Sequence, residues 1–431
     1  MKQKALQIIF SVLFISVSHL GWAQVEPNRA YSPSYLKTGS RNATIAPSSA
    51  FFNPAGAVWW KDGHTIELSV LTLFNRQEVT DFRLNQSYSS EIVGIPVPAI
   101  NYIYKKNNWA IVGTLGITNG GGTGDFEDGF IGLDFLGRSI VQQGIASGMF
   151  PSDNPSDYSI RNSFNGAFIG LGGTAGVAYK FNDWLSASAS LQVSFQNNFT
   201  EGELVITHTP SGEELSRTEV DFNERGNNLG FIFGLNIKPN EKLLIANTFR
   251  IFTELELEAE VNDGKDGNGL FVQDGQTQLA TYVPTYQFGL SYLFHPKWRA
   301  EVNMTVFWYD LLDLGSDENG INRADYYNND FDFGIGVEYQ VTEKLNLGAG
   351  FSYQTTGLKD EFQSENLFET STANVHLGAT YQFNERWGGN FGMQAGFSTD
   401  EVDIPASEFG SRQQITRDPL YFIGIGAFHT F

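Results

Sequence analysis

The chain contains no cysteine, which excludes a disulfide framework, thiolate metal sites and thiol nucleophiles. Beyond residue 23 it lacks any run of about 18 consecutive apolar residues, so a membrane role has to rest on strands rather than helices. Basic side chains are scarce, with 27 Lys and Arg against 48 Asp and Glu, a balance that argues against nucleic acid as a partner. No Pro/Ser-rich linker or shift in composition divides the chain, which reads as one architecture. Neither HExxH nor G-x-S-x-G occurs, and no glycine run is followed by Gly-Lys-Ser/Thr. The chain is therefore not expected to be an enzyme, to hold a cofactor or to bind a metal.

What is present begins with Lys2 and Lys4, an apolar run from Ile8 to Val17 broken only by serines, and Gly21-Trp22-Ala23 before Gln24. This pattern predicts a secretory signal peptide over residues 1–23, too short to span a bilayer. Gln24 in place of cysteine leaves no lipid-attachment site. The composition, with 46 Gly, 36 Phe and 17 Tyr but only 17% charged residues, suits a sheet facing lipid.

One unit recurs along the chain: an alternating strand, an aromatic residue, a short polar turn and a second alternating strand. The turns lie in YIYKKNNWAIVG, VAYKFNDWLSAS, LNIKPNEKLLIA, LSYLFHPKWRAE, VEYQVTEKLNLG and ATYQFNERWGGN, where Asn, Asp, Pro and Glu supply turn geometry. Six hairpins, with His64 to Asn75 and Leu420 to Phe431 added, predict an all-β fold, a transmembrane antiparallel β-barrel of about 14 strands. An even count puts both chain ends and the short turns on the periplasmic side. Phe331, Phe333, Ile335, Val337 and Tyr339 share one face, opposite Asp332, Gly334, Gly336, Glu338 and Gln340, and the first set is expected to face lipid. Trp109, Tyr179, Trp184, Trp298, Tyr339 and Trp387 cluster beside the turns, where interfacial girdles belong. A last strand ending on Phe431 resembles a barrel-assembly signal, which implies the barrel-assembly machinery and outer-membrane lipid as partners and the cell outer membrane as location. The acidic stretches Glu201 to Glu224, Glu254 to Asp274 and Asp310 to Asp330 are read as outer loops.

Residues 24–63 fit no strand pattern. A barrel of this size has a lumen too wide for its wall side chains to fill, so this segment is expected to plug it, ahead of a barrel over 64–431. At SSAFFNPAGAVWW the sequence resembles the outer-membrane long-chain fatty acid and aromatic hydrocarbon transporter family (FadL/TodX, OMPP1 type). The resemblance rests on Asn53, Pro54, Ala55 and Gly56 lying behind a signal peptide and ahead of a fourteen-strand pattern. It implies an N-terminal hatch carrying that motif, a hydrophobic small molecule as partner, a monomer, and passive uptake by hatch movement. It also implies lateral release at a kinked third strand, here Trp109 to Thr118 running into NGGGTGDF. Gly113, Gly116 and Gly120 lie there, and glycines allow bulges where a ladder can part. For an acidic ligand, Arg250 is the candidate ligand-binding cation, placed inward by its parity with Leu244, Ala246, Thr248 and Phe252, and Phe252 is the ligand-binding candidate beside it. The other reading of Arg250 is an internal pair with Glu338 or Glu301. A barrel adaptor for protein export or surface assembly, without small-molecule transport, is the alternative function.

Overall fold

The computed structural model describes residues 24–25, 32–94, 96–126, 129–267, 272–316, 320–363, 369–399, 402–404 and 412–431. The expected signal peptide lies outside the described residues. Fourteen antiparallel strands close into a barrel. They are β1 (Gly63–Asp81), β2 (Gln86–Val93 and Val97–Lys106), β3 (Trp109–Phe126), β4 (Tyr158–Asn182), β5 (Leu185–His208), β6 (Glu213–Asn240) and β7 (Leu243–Phe252 and Glu256–Asp266). The second half comprises β8 (Thr277–Leu279 and Thr285–His295), β9 (Trp298–Phe307), β10 (Asp330–Gln340), β11 (Leu345–Gln354), β12 (Thr372–Gln382), β13 (Trp387–Ser398) and β14 (Gln413–Arg417 and Leu420–Thr430). Each strand pairs with the next, and β14 returns to β1 in register from Thr65↔Thr430 to Phe74↔Tyr421. Closure removes the sheet edges that would otherwise be left unpaired in lipid.

The period of two sorts the wall as expected. Phe333, Ile335, Leu347 and Phe351 are exposed outward, whereas Asp332 and Glu338 are buried toward the lumen. At the girdle, Trp298 stacks on Tyr339 and Trp109 packs against Tyr179, each at 4.4 Å between ring centroids. His429 joins the same belt, 4.2 Å from Trp387.

Two features differ from the sequence reading. Residues 201–224, apart from the turn at 209–212, and much of 254–274 are strand rather than loop: β4, β5 and β6 run 25, 24 and 28 residues, far more than the roughly 10 that cross a bilayer. Their outer halves stand above the membrane, where both faces tolerate charge, so alternation fades although the ladder continues. The stretch NGGGTGDF likewise belongs to β3. The second feature is a helix, α1 (Ile131–Ala146), in the β3–β4 connection. Ile131 and Phe135 pack on Val79, Tyr88, Val402, Ile404 and Ile415. Leu133, Leu136, Ile140 and Val141 pack on Leu204, Ile206 and Phe222 of β5 and β6. The helix thus packs on β5 and β6 through one set of side chains and on β1, β2 and β14 through another.

The segment before β1 fills the lumen. Its first helix, Pro33–Thr38, is capped by Ser32 Oγ accepting from Ser34 N (3.0 Å) and closed by Gly39, whose φ of 62° suits the left-handed cap. Every residue of that helix is buried. It can lie so close because the inward positions it meets are glycine: a β-carbon at Gly350 would sit 1.8 Å from the Thr38 carbonyl oxygen, at Gly392 2.1 Å from that of Pro33, and at Gly348 2.6 Å from Lys37 Cγ. A short helix Ser49–Phe52 and a 3-10 turn Pro54–Trp59 follow. Residues Gln24–Val25 form a parallel pair with Thr281–Tyr282.

Candidate functional site: the filled lumen and the break in its wall

The Asn53-Pro54-Ala55-Gly56 motif joins the two short helices of the plug. Asn53 ends the first, its backbone N–H donating to Ser49 O (3.0 Å), and Pro54 opens the 3-10 turn, where a missing N–H costs nothing. The motif therefore starts a helix as well as stopping one. Two wall strands receive it. Ser186 Oγ on β5 donates to Ala55 O (2.6 Å), and the Asn236 amide on β6 faces Asn53 Oδ1 (2.9 Å) and the Gly56 N–H (3.0 Å). Neither wall residue was singled out from the sequence, although parity places both inward.

A charge cluster fixes the other end of the plug. Glu338 on β10 pairs with Lys37, with Arg41 (3.3 Å) and with Arg299 of β9 (2.7 Å). Glu301 pairs with Arg299 (2.7 Å) and accepts from the backbone N–H of Ala43 (2.9 Å) and the Thr44 hydroxyl (2.5 Å). Burial outweighs the attraction of Glu338 and pulls the Lys37 ammonium down to about 8. The sequence reading offered Glu338 and Glu301 as partners of Arg250, but the ladder gives them to Arg299, Arg41 and Lys37. Sequence separation hides such a set, because only the register reveals who faces whom.

Arg250 is buried in the lumen, as its parity requires. Its Nε donates to Gln287 Oε1 (3.3 Å), its Nη2 donates to the Phe51 carbonyl, and its guanidinium lies 4.7 Å from the Phe51 ring centroid. The cleft beside it is lined by Tyr35, Phe51, Phe52, Gln287, Phe307 and Asp332 and has room for about 30 Å³. That is a water-sized space, against the roughly 300–1,000 Å³ of ordinary ligand pockets. Phe252 is not part of it. Two residues on, it stacks toward Tyr282 (5.1 Å) in a separate cluster with Leu255, Leu257 and Ala280.

The wall is interrupted next to the plug. The β2–β3 ladder runs from Lys106↔Trp109 to Ala99↔Gly116, and the next pair is Glu91↔Asp125. Between them β3 has no partner on β2 among the described residues. On its other side β3 stays paired with β4, with register shifts between Ile117 and Asn119 and between Gly120 and Gly122. Gly113 lies in regular ladder opposite Tyr102 and Ala175, Gly116 forms the last rung, and Gly120 sits in the shifted region with φ of 65°. β2 itself breaks at Gly94, and Pro96 and Pro98 bring no N–H to a neighbour. Those prolines are the signal in the sequence that the glycine reading passed over. Facing the break is an apolar cluster: Tyr35, Leu36, Phe51 and Phe52 of the plug against Leu71, Val97, Ala99 and Ile117 of the wall.

His376 Nε2 lies 3.0 Å from Ser352 Oγ, with the ring edge-on to Tyr35 (5.7 Å). The plug covers this pair, and a β-carbon at Gly39 would meet the imidazole at 2.5 Å.

A closed fourteen-stranded barrel with a lipid-facing apolar exterior defines an outer-membrane channel-type protein. The chain belongs to the outer membrane protein transport protein family (OMPP1/FadL/TodX), whose model matches residues 152–412. That family is one of transport proteins rather than enzymes, and its members lie in the outer membrane, as this chain does. Among solved structures, the toluene transporter TodX of P. putida is 16% identical with a TM-score of 0.65, covering 94% of this chain and 99% of its own. A Pseudomonas aeruginosa FadL homologue is 15% identical with a TM-score of 0.67, covering 94% and 98%. The Ralstonia pickettii toluene transporter TbuX is 13% identical with a TM-score of 0.61, covering 94% and 99%. At such identities the likeness concerns the fold. A search of curated proteins finds no match.

Proposed function

We propose that this chain takes up hydrophobic compounds, long-chain fatty acids or aromatic hydrocarbons, by diffusion through the lumen and releases them sideways into the bilayer. The observation that carries this reading is the apolar cluster of Tyr35, Leu36, Phe51 and Phe52 placed against the unpaired stretch of β3. A greasy molecule gains nothing by leaving into water at the periplasmic end, whereas a wall opening beside an apolar surface leads it into lipid. The clefts around Phe51 are too small for such a guest while the plug is docked, so entry requires the N-terminal segment to act as a hatch. Asn53, Pro54, Ala55 and Gly56 are the joint about which it moves. Gly116 and Gly120 bound the exit, and Gly113 keeps the strand below it slim. Arg250 orients an acidic headgroup through a charge-assisted bond, exchanging the Phe51 carbonyl for a carboxylate.

The test combines uptake of radiolabelled fatty acid and alkylbenzene in a deletion strain with mass spectrometry of lipids that copurify with the protein. Restored uptake by the intact gene, and its loss when an Ala99→Cys/Gly116→Cys disulfide staples the last rung, is the expected outcome. Finding neither a bound apolar compound nor any uptake defect would refute the transport reading and favour an adaptor role.

A further inference from the structure

The inward turn of β3 is held by polar contacts that the transport reading leaves unused. In β3 exposed and buried side chains alternate as far as Leu115, after which Gly116, Ile117, Thr118 and Asn119 are buried in succession. The two register shifts absorb Thr118 and Gly121 as extra residues, so Thr118 and Asn119 both point into the lumen. Polar side chains buried side by side need partners. Tyr282 supplies them from the connection between the two parts of β8: its Oη donates to Asn119 Oδ1 (2.9 Å) and lies 3.1 Å from Thr118 Oγ1. Asn119 Nδ2 in turn donates to Gln196 Oε1 of β5 (2.9 Å), and Gln196 Nε2 donates to Asn198 Oδ1 (2.6 Å).

The neighbouring strand is shaped for this arrangement. A β-carbon at Gly170 would lie 1.5 Å from Asn119 Oδ1, and one at Gly172 would lie 2.7 Å from Thr118 Cγ2. Tyr282 is itself fully buried, its ring held 5.1 Å from that of Phe252. One hydroxyl therefore ties the stretch of β3 that has no partner on β2 to a strand far around the barrel.

We propose that Tyr282 is the latch of the lateral opening, a positioning residue whose hydroxyl holds Thr118 and Asn119 inward and so sets how far β3 stands from β2. The inference rests on reading that break as the exit, and its test is arranged so that the two can fail separately. Since the chain has no cysteine, a single Ile117→Cys reports on the buried side of the break, and Val112→Cys reports on the regular part of β3. Both are labelled with a membrane-permeant maleimide in proteoliposomes, without any substrate.

Tyr282→Phe, which keeps the ring, is expected to speed labelling of Ile117→Cys about tenfold and leave Val112→Cys unchanged. Asn119→Ala is expected to do the same, and the double variant to add little beyond either single change. Unchanged labelling at position 117 in both variants overturns the proposal. An equal rise at 117 and 112 overturns it as well, because that is general loosening. A rise at 117 alone, in a protein that takes up no apolar compound, leaves the latch standing and removes the transport reading.

Discussion

Replacing Glu338 with glutamine keeps the side chain's size and removes the charge on which the plug converges. Lys37, Arg41 and Arg299 would then share the lumen with Glu301, whose oxygens already bind Arg299, Ala43 and Thr44. Removing one partner of a buried ion pair leaves an uncompensated charge and costs about 3–5 kcal/mol. At about 1.4 kcal/mol per power of ten, the docked-to-released ratio of the plug falls by between two and almost four powers of ten. The loss falls on the plug because β10 is held by backbone ladders to β9 and β11 that do not involve the Glu338 carboxylate. The assay is trypsin cleavage after Lys37 and Arg41 in the purified barrel, with single-channel conductance as a second readout. Glu338→Gln is expected to raise the cleavage rate at least a hundredfold and to increase open events. Adding Lys37→Met removes one stranded cation and is expected to recover part of the protection, read as cleavage after Arg41 alone because this variant has no trypsin site at position 37. As a control, Asp403→Asn breaks only an exposed pair with Arg412, worth about 0–1 kcal/mol, and leaves cleavage as it was. Full protection and unchanged conductance in Glu338→Gln would refute the claim that charge holds the plug.

Gly350→Val puts a β-carbon where the Thr38 carbonyl stands, 1.8 Å away, and neither backbone can yield; plug protection and melting temperature are both expected to fall. Gly113→Ala, whose nearest neighbour is 3.6 Å off, changes neither, and the reverse ranking would refute the close-packing account. Arg250→Met is expected to cut long-chain fatty acid uptake about tenfold or more, since a charge-assisted bond contributes about 1.5–3 kcal/mol, while sparing uptake of an uncharged alkylbenzene; equal loss of both would rule out a headgroup role. Lys37 titrates at about 8 in the docked plug and at 10.5 in water, so between those values the released plug holds more protons and docking tightens as pH rises through the window. Protection against trypsin that weakens from pH 8 to 10, or that keeps its pH dependence in Lys37→Met, would contradict this.

The barrel was legible because lipid on one side and a filled lumen on the other impose the same two-residue period on strand after strand, with Asn-, Asp- and Pro-containing turns between them. Where that constraint ends, so does the signal. Glu201 to Glu224 reads as loop because strands above the bilayer meet water, yet it continues the ladder of β5 and β6. The helix Ile131–Ala146 is readable in principle, since Ile131, Phe135, Leu136 and Ile140 recur at helical spacing, but that spacing stands alone in a chain otherwise patterned at a period of two. The N-terminal segment is legible only as a remainder, the part that fits no strand. Its anchors are not, because Lys37 and Glu338 are 301 positions apart and meet only through the barrel's register.

Arg250 and Phe252 illustrate why faces are easier to read than sites. Parity puts both inward, and for Arg250 the burial agrees. It says nothing about height along the barrel or about the side of the plug a residue meets. Arg250 pairs across to Thr285 and lies beside Phe51, whereas Phe252 ends its half of β7 and turns to Tyr282. Two positions along one strand thus belong to two machines, one at the apolar face of the plug and one at the tyrosine that reaches the break in the wall. If substrate lies against the first and leaves by the second, changes at Phe252 alter the exit without altering binding, and changes at Arg250 do the opposite. Phe252→Leu should therefore change the rate of release into lipid vesicles while leaving the amount of copurifying ligand as it is, and a shift in bound ligand instead would put Phe252 back beside Arg250.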